Sequence, residues 1–196
     1  GYKYYETRYE DEILGQGNAD TTEGSSDGAA WDYANEVSYP FGYGLSYTTF
    51  EYSDINVSED KVTFTITNTG KMDGEEIAQM YVSCKSDKIF RPKKELKGFK
   101  KVFLKAGESK QVEIPFDDKT FRYFNVKTNK FEIETAEYVI SIASNVEDVR
   151  ISAEISIKGT EAENPYDKEK MPSYYKADIK NVDDKQFETL LGRKIP

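Results

Sequence analysis

Between Thr48 and Ile157 the chain repeats one pattern: an apolar side chain at every second position, in short runs broken by turn residues. A period of two places one class of side chain on one face of an extended segment and cannot build the stripe of a helix. Ile151, Ala153, Ile155 and Ile157 alternate without a break. Val62, Phe64 and Ile66 do the same against Lys61, Thr63, Thr65 and Thr67. Ala78, Met80, Val82 and Cys84 form one face of a further run, which leaves Ile77, Gln79 and Tyr81 on the other. Val112, Ile114 and Phe116 share one side as well. Thr48–Val57, Lys100–Leu104, Phe121–Glu134 and Tyr138–Ala143 read as the remaining strands. Turns are expected at Asn68–Gly74, Ala106–Ser109 and Lys127–Lys130, where Gly, Asn, Asp and Ser cluster.

Seven or eight short strands at regular spacing predict an all-β fold. The expected form is an antiparallel β-sandwich of the fibronectin type III or immunoglobulin kind, in which each strand buries one face. Tyr138 follows Glu134-Thr135-Ala136-Glu137 and stands where such sandwiches place a tyrosine corner.

The flanks differ. Tyr2 to Tyr9 alternate aromatic and polar residues and read as a strand within residues 1–14. Residues 15–47 read as a flexible loop and junction, rich in Gly, Ser, Thr, Asn and Asp. Trp31, the single tryptophan, and Tyr33 interrupt that loop, and Phe41 and Tyr43 follow in Pro40-Phe41-Gly42-Tyr43-Gly44. These four aromatics are candidates for a sugar-stacking wall or for anchors on a neighbouring domain. The sandwich is expected over 48–158. Residues 159–196 read as an extended linker that ends in one short helix near 184–191. Asp183 caps that helix, Gln186 stands three residues on as in a capping box, and Val182 and Phe187 are spaced for a hydrophobic staple. Gly192 is its stop.

The chemistry is bounded by what is missing. The 196 residues include no histidine and one cysteine, Cys84, so Ser-His-Asp and Cys-His catalysis, histidine metal sites and an internal disulfide are excluded. No metal or other cofactor is implied. A net charge of −9, with basic residues clustered only over Arg91–Lys101, argues against nucleic acid as a partner. That basic run reads as a solvated strand-and-loop face. No apolar run approaches a membrane span. A retaining glycosidase needs two carboxyl groups roughly 5–5.5 Å apart. The 36 acidic residues supply candidates, but none is set apart by its neighbours.

Several stretches carry a family resemblance. Gly1-Tyr2-Lys3-Tyr4-Tyr5-Glu6, Pro40-Phe41-Gly42-Tyr43-Gly44-Leu45-Ser46-Tyr47-Thr48-Thr49-Phe50, Gly74-Glu75-Glu76-Ile77-Ala78-Gln79-Met80-Tyr81-Val82-Ser83 and Arg91-Pro92-Lys93-Lys94-Glu95-Leu96-Lys97-Gly98-Phe99-Lys100-Lys101-Val102 occur in one order. Together they resemble the fibronectin type III-like region of glycoside hydrolase family 3, the β-glucosidase family. Two details depart from the pattern: Lys3 for an arginine, and Thr135-Ala136 for a Pro-Gly. The resemblance implies that residues 1–14 end an α/β sandwich domain, and that nucleophile and acid/base lie in other domains. No catalytic residue is therefore assigned. It implies a non-catalytic accessory role, with the other domains of the parent enzyme as partners and a β-glucoside at the cleft edge near Trp31, Tyr33, Phe41 and Tyr43. The tail resembles linkers of members in which the sandwich precedes the barrel, so the parent is expected to continue past Pro196. The alternative reading is a carbohydrate- or surface-binding module, suggested by 14% aromatic residues; a free-standing adhesion domain is a third.

Overall fold

The computed structural model describes residues 1–6, 32–175 and 181–196. The described residues hold nine strands: β1 (Phe50–Val57), β2 (Lys61–Asn68), β3 (Gly74–Cys84), β4 (Glu95–Leu104), β5 (Ser109–Pro115), β6 (Arg122–Asn125), β7 (Lys130–Ile133), β8 (Ala136–Ala143) and β9 (Val149–Ile157). Seven form the sandwich, with a three-stranded sheet ordered β1-β2-β5 and a four-stranded sheet ordered β4-β3-β8-β9. β6 and β7 make a separate ribbon, and all pairs are antiparallel.

The alternation decides which faces meet. Val62, Phe64 and Ile66 of β2 and Val112 and Ile114 of β5 face Ala78, Met80 and Val82 of β3 and Ile140 and Ile142 of β8 in one continuous core. Burying each large apolar side chain of this set contributes about 1.5–3 kcal/mol. Gly98 lets β4 close on β5, because a Cβ there would stand 2.6 Å from Ile114 Cγ2. Buried Asn68 pins the turn after β2: its Nδ2 donates to the carbonyls of Met72 (2.8 Å) and Leu104 (3.1 Å). Its Oδ1 accepts from Thr48 Oγ1 at 2.7 Å and Gly70 N at 3.1 Å. All its hydrogen-bonding capacity for holding that turn is used, which removes the cost of burying an amide.

Three local expectations are corrected. Residues 2–6 are helical, not extended. A strand needs a neighbour for its backbone groups, and the helical turn satisfies its own, with Tyr4 N donating to Gly1 O at 3.0 Å. The remainder of the expected strand, 7–14, lies outside the described residues. The short helix Asp118–Phe121, capped by Asp117, precedes β6 where a strand was expected to begin. The helix Asp184–Leu191 has its Asp183 cap on Gln186 N and ends at left-handed Gly192, but the Gln186 side chain does not turn back to close a capping box. It reaches across to the short helix Pro172–Tyr175, where Oε1 accepts from Ser173 N (2.8 Å) and Nε2 donates to Ser173 Oγ (3.0 Å).

The tail lies on the sandwich surface. Phe90 meets the rings of Tyr166, Tyr174 and Tyr175, and Asn125 Nδ2 donates to Glu163 O at 2.9 Å. Replacing Gln186 by alanine strands a buried donor at Ser173, so docking of the last helix is expected to weaken by about 1–3 kcal/mol. Limited proteolysis checks this: cleavage moves into the tail while the thermal midpoint of the sandwich stays put.

Candidate functional site

The alternation sets Gln79 and Tyr81 on the face of β3 opposite Ala78, Met80 and Val82. Both are buried, and Tyr81 is 1% exposed. The junction segment covers them. Tyr43 N donates to Pro40 O at 3.0 Å and closes a turn at whose apex Gly42 has φ +80°. The turn is stitched down by Phe41 O, which accepts from Val146 N at 3.0 Å, and by Gly42 O, which accepts from Gln79 Nε2 at 3.0 Å. Gln79 Nε2 donates to Ser144 O as well (2.6 Å), while its Oε1 accepts from Tyr81 OH at 2.6 Å. A Cβ on Gly42 would lie 2.0 Å from Gln79 Oε1, so the clamp needs glycine both for space and for its left-handed backbone.

The N-terminal residues complete the cover. The Tyr2 ring stacks on Phe41 at 4.1 Å and 14°, and meets Tyr81 edge-on at 6.5 Å. Tyr2 OH accepts from Leu96 N at 2.9 Å, and Lys3 pairs with Glu95. Burial raises the Tyr81 hydroxyl well above the ordinary tyrosine range.

Of the four aromatics singled out from the sequence, Trp31 lies outside the described residues. The other three have different partners. Tyr33, in the short helix Tyr33–Glu36, donates its hydroxyl to Glu6 Oε1 at 2.6 Å. Phe41 stacks on Tyr2, and Tyr43 stands beside Tyr39 with ring centroids 5.1 Å apart. Tyr33 and Phe41 thus contact the N-terminal residues, while Tyr43 lies apart from them beside Tyr39.

Next to the clamp runs a groove of ≈490 Å³ between residues 42–50, β3 and the β8–β9 turn. Its charged groups are engaged: Glu76 accepts from Tyr52 OH at 2.7 Å, and Arg150 pairs with Asp148 at 2.7 Å. Its rim is apolar. Leu45 is 87% exposed and Tyr47 94%. The register sets Phe99 beside Gln79 and Phe103 beside Glu75, so both rings share the outer face of the sheet with Ile77. Phe99 is 66% exposed, and Phe103 and Ile77 are also open to solvent. Among the described residues no helix is long and apolar enough to cross a membrane.

A 3+4 antiparallel sandwich with this strand order agrees with what comparison finds: residues 76–146 match the family model described as "Fibronectin type III-like domain". The chain carries a fibronectin type III-like domain. Around it the chain is 40% identical over 151 residues to an exo-α-(1→6)-L-arabinopyranosidase of Bifidobacterium longum, covering 74% of this chain and 20% of that protein. It is also 40% identical over 133 residues to thermostable β-glucosidase B of Acetivibrio thermocellus, covering 64% of this chain and 18% of that protein. The crystal structure of the Bifidobacterium adolescentis GH3 β-glucosidase superposes with a TM-score of 0.66 at 34% identity, over 85% of this chain and 22% of that one. The chain thus spans about a fifth of the length of the relatives it matches.

Inside the fibronectin type III-like domain, the basic run is not wholly solvated as expected. Arg91 is largely enclosed and pairs with Glu134, whose side chain is enclosed to a similar degree and accepts from Ser86 Oγ. The guanidinium lies 5.4 Å from the Tyr123 ring centroid and 5.8 Å from that of Tyr138. Tyr138 OH donates to Glu134 O at 2.9 Å, which is the tyrosine corner, and burial pushes its hydroxyl up to about 12. Cys84 borders this cluster half-buried, its thiol raised by burial. Sequence spacing could not reveal the Arg91–Glu134 pair, which joins positions 43 residues apart.

Proposed function

We propose that this chain is a non-catalytic bracing module of a family 3 glycoside hydrolase. Its exposed outer face, Phe99, Phe103 and Ile77 with Leu45 and Tyr47 at the groove rim, would seat against the other domains of its parent. The observation that carries this reading is that face. Large apolar side chains open to solvent lie on the side of the sheet opposite a complete core, with the Lys101–Glu75 ion pair set among them. Equal identity to relatives named for an α-arabinopyranosidase and for a β-glucosidase supports a role that does not select the sugar. Glu6 and Glu147, whose carboxyl groups face each other, do not argue for catalysis, since Glu6 is sealed and neither residue lines the groove. Of the candidate aromatics among the described residues, Tyr43 lines the groove and is the one this reading places nearest a substrate cleft.

The paired substitution Phe99→Glu, Phe103→Glu tests the brace. In the full-length parent it is expected to lower the thermal midpoint by several degrees and free the module to proteolysis, while leaving the midpoint of the isolated chain unchanged. An unchanged parent overturns the docking face. The isolated chain is expected to release no aglycone from an aryl glucoside above the buffer rate; turnover overturns the non-catalytic reading. A saturable spectral change on titration with a β-glucan instead favours a carbohydrate-binding module.

A further inference from the structure

The cover over β3 contains a feature that a permanent seam does not need. Glu6 is 1% exposed, yet it is a carboxyl group set in the contact between the N-terminal turn and the sandwich. Its Oε1 accepts from Tyr33 OH at 2.6 Å. Its Oε2 is buried and receives no donor. The group that faces it is a second carboxyl, Glu147 in the β8–β9 turn. Two carboxylates are both acceptors and repel; one shared proton makes them a hydrogen-bonded pair.

We propose that the Glu6–Glu147 pair is a proton-operated latch, which holds residues 1–6 on the fibronectin type III-like domain when it carries one proton and lets them lift when both carboxyls are charged. Among the described residues, the other titratable or charged groups facing Glu6 are Tyr33, from the short helix 33–36, Tyr81, from β3, and Lys94, from the lead into β4. Burial keeps the Tyr81 hydroxyl protonated over the working range. Lys94 opposes the latch but is itself engaged, donating to Val146 O at 3.2 Å and lying 3.4 Å from Glu147 Oε1. What lifts is the Tyr2 ring, so that the opened state bares Phe41, Tyr81 and the Leu96 amide.

The direction follows from burial, aided by Glu147, which together raise the Glu6 carboxyl from the ordinary glutamate range to about 8. The docked state therefore holds a proton that the lifted state releases. Docking is at full strength below about pH 4.5. It weakens about tenfold per pH unit as pH rises towards 8, and is constant above that.

Amide hydrogen exchange on the whole chain, corrected for the intrinsic pH dependence of exchange, reads this directly. From pH 5.5 to 8.5 the protection of residues 2–6 and of the Leu96 amide is expected to fall by a factor of the order of a hundred. Amides in β2 and β8 serve as the internal control and keep theirs. In Glu6→Gln the neutral amide should hold the cover at both pH values. Protection that is equal at the two pH values in the unaltered chain, absent at both, or falling just as steeply in Glu6→Gln, overturns the latch.

Discussion

Arg91→Ala is expected to destabilise the domain by about 3–5 kcal/mol, the cost of leaving one partner of a buried ion pair uncompensated. The orphan would be Glu134, which is held inside by Ser86 Oγ and faces Cys84 Sγ at 3.8 Å. Its backbone carbonyl is tied to Tyr138 OH, so the carboxylate cannot swing out without disturbing the tyrosine corner. The guanidinium's packing over Tyr123 and Tyr138 is lost in addition. Equilibrium urea unfolding checks the value: the midpoint drops with an unchanged slope if only stability has changed. The double replacement Arg91→Met, Glu134→Leu removes both charges and should recover most of the loss, because the pair's own net worth is small against its desolvation. A single mutant that unfolds like the parent chain would show that Glu134 finds water.

Phe64→Ala is expected to cost about 3–5 kcal/mol by the same measurement. Phe64 is fully buried at the centre of β2, beside Val112 in register and with its ring stacked 6.1 Å from that of Tyr52. Both sheets close on this position, so the cavity left behind cannot collapse without moving a strand. Phe64→Leu keeps most of the volume and should cost much less, under about 1.5 kcal/mol. The contrast is Phe99→Ala, the same ring on the outer face of β4, which should change the isolated chain by no more than about 0.5 kcal/mol. If Phe99 proves as costly as Phe64, the outer face is core and the bracing surface lies elsewhere.

Much of the domain was legible in the residues. Val62, Phe64, Ile66, Val112 and Ile114 are buried as their spacing requires, the turns at Gly70, Gly107 and Asn129 fall between strands, and Tyr138 makes the corner bond its position suggested. These depend on local rules: a two-residue period, turn chemistry and helix caps act within a few positions of chain. Gln79 and Tyr81 were the instructive failure. Their alternation correctly separates them from Ala78, Met80 and Val82, but it gives no sign that the junction segment covers them on the opposite face.

The sequence by itself therefore determined the two-layer architecture, the inner face of each strand and the relation to family 3 enzymes. Only the tertiary structure decided that β3 is covered on its second face at Gln79 and Tyr81, that Glu6 meets Glu147, and that Arg91 packs against Glu134. The reason is that periodicity reports the side of a strand a residue occupies, and says nothing of which distant segment lies against that side. Tyr2 reaches Leu96 across 94 positions, and a contact of that span is set by how the folded surfaces fit, not by any pattern along the chain.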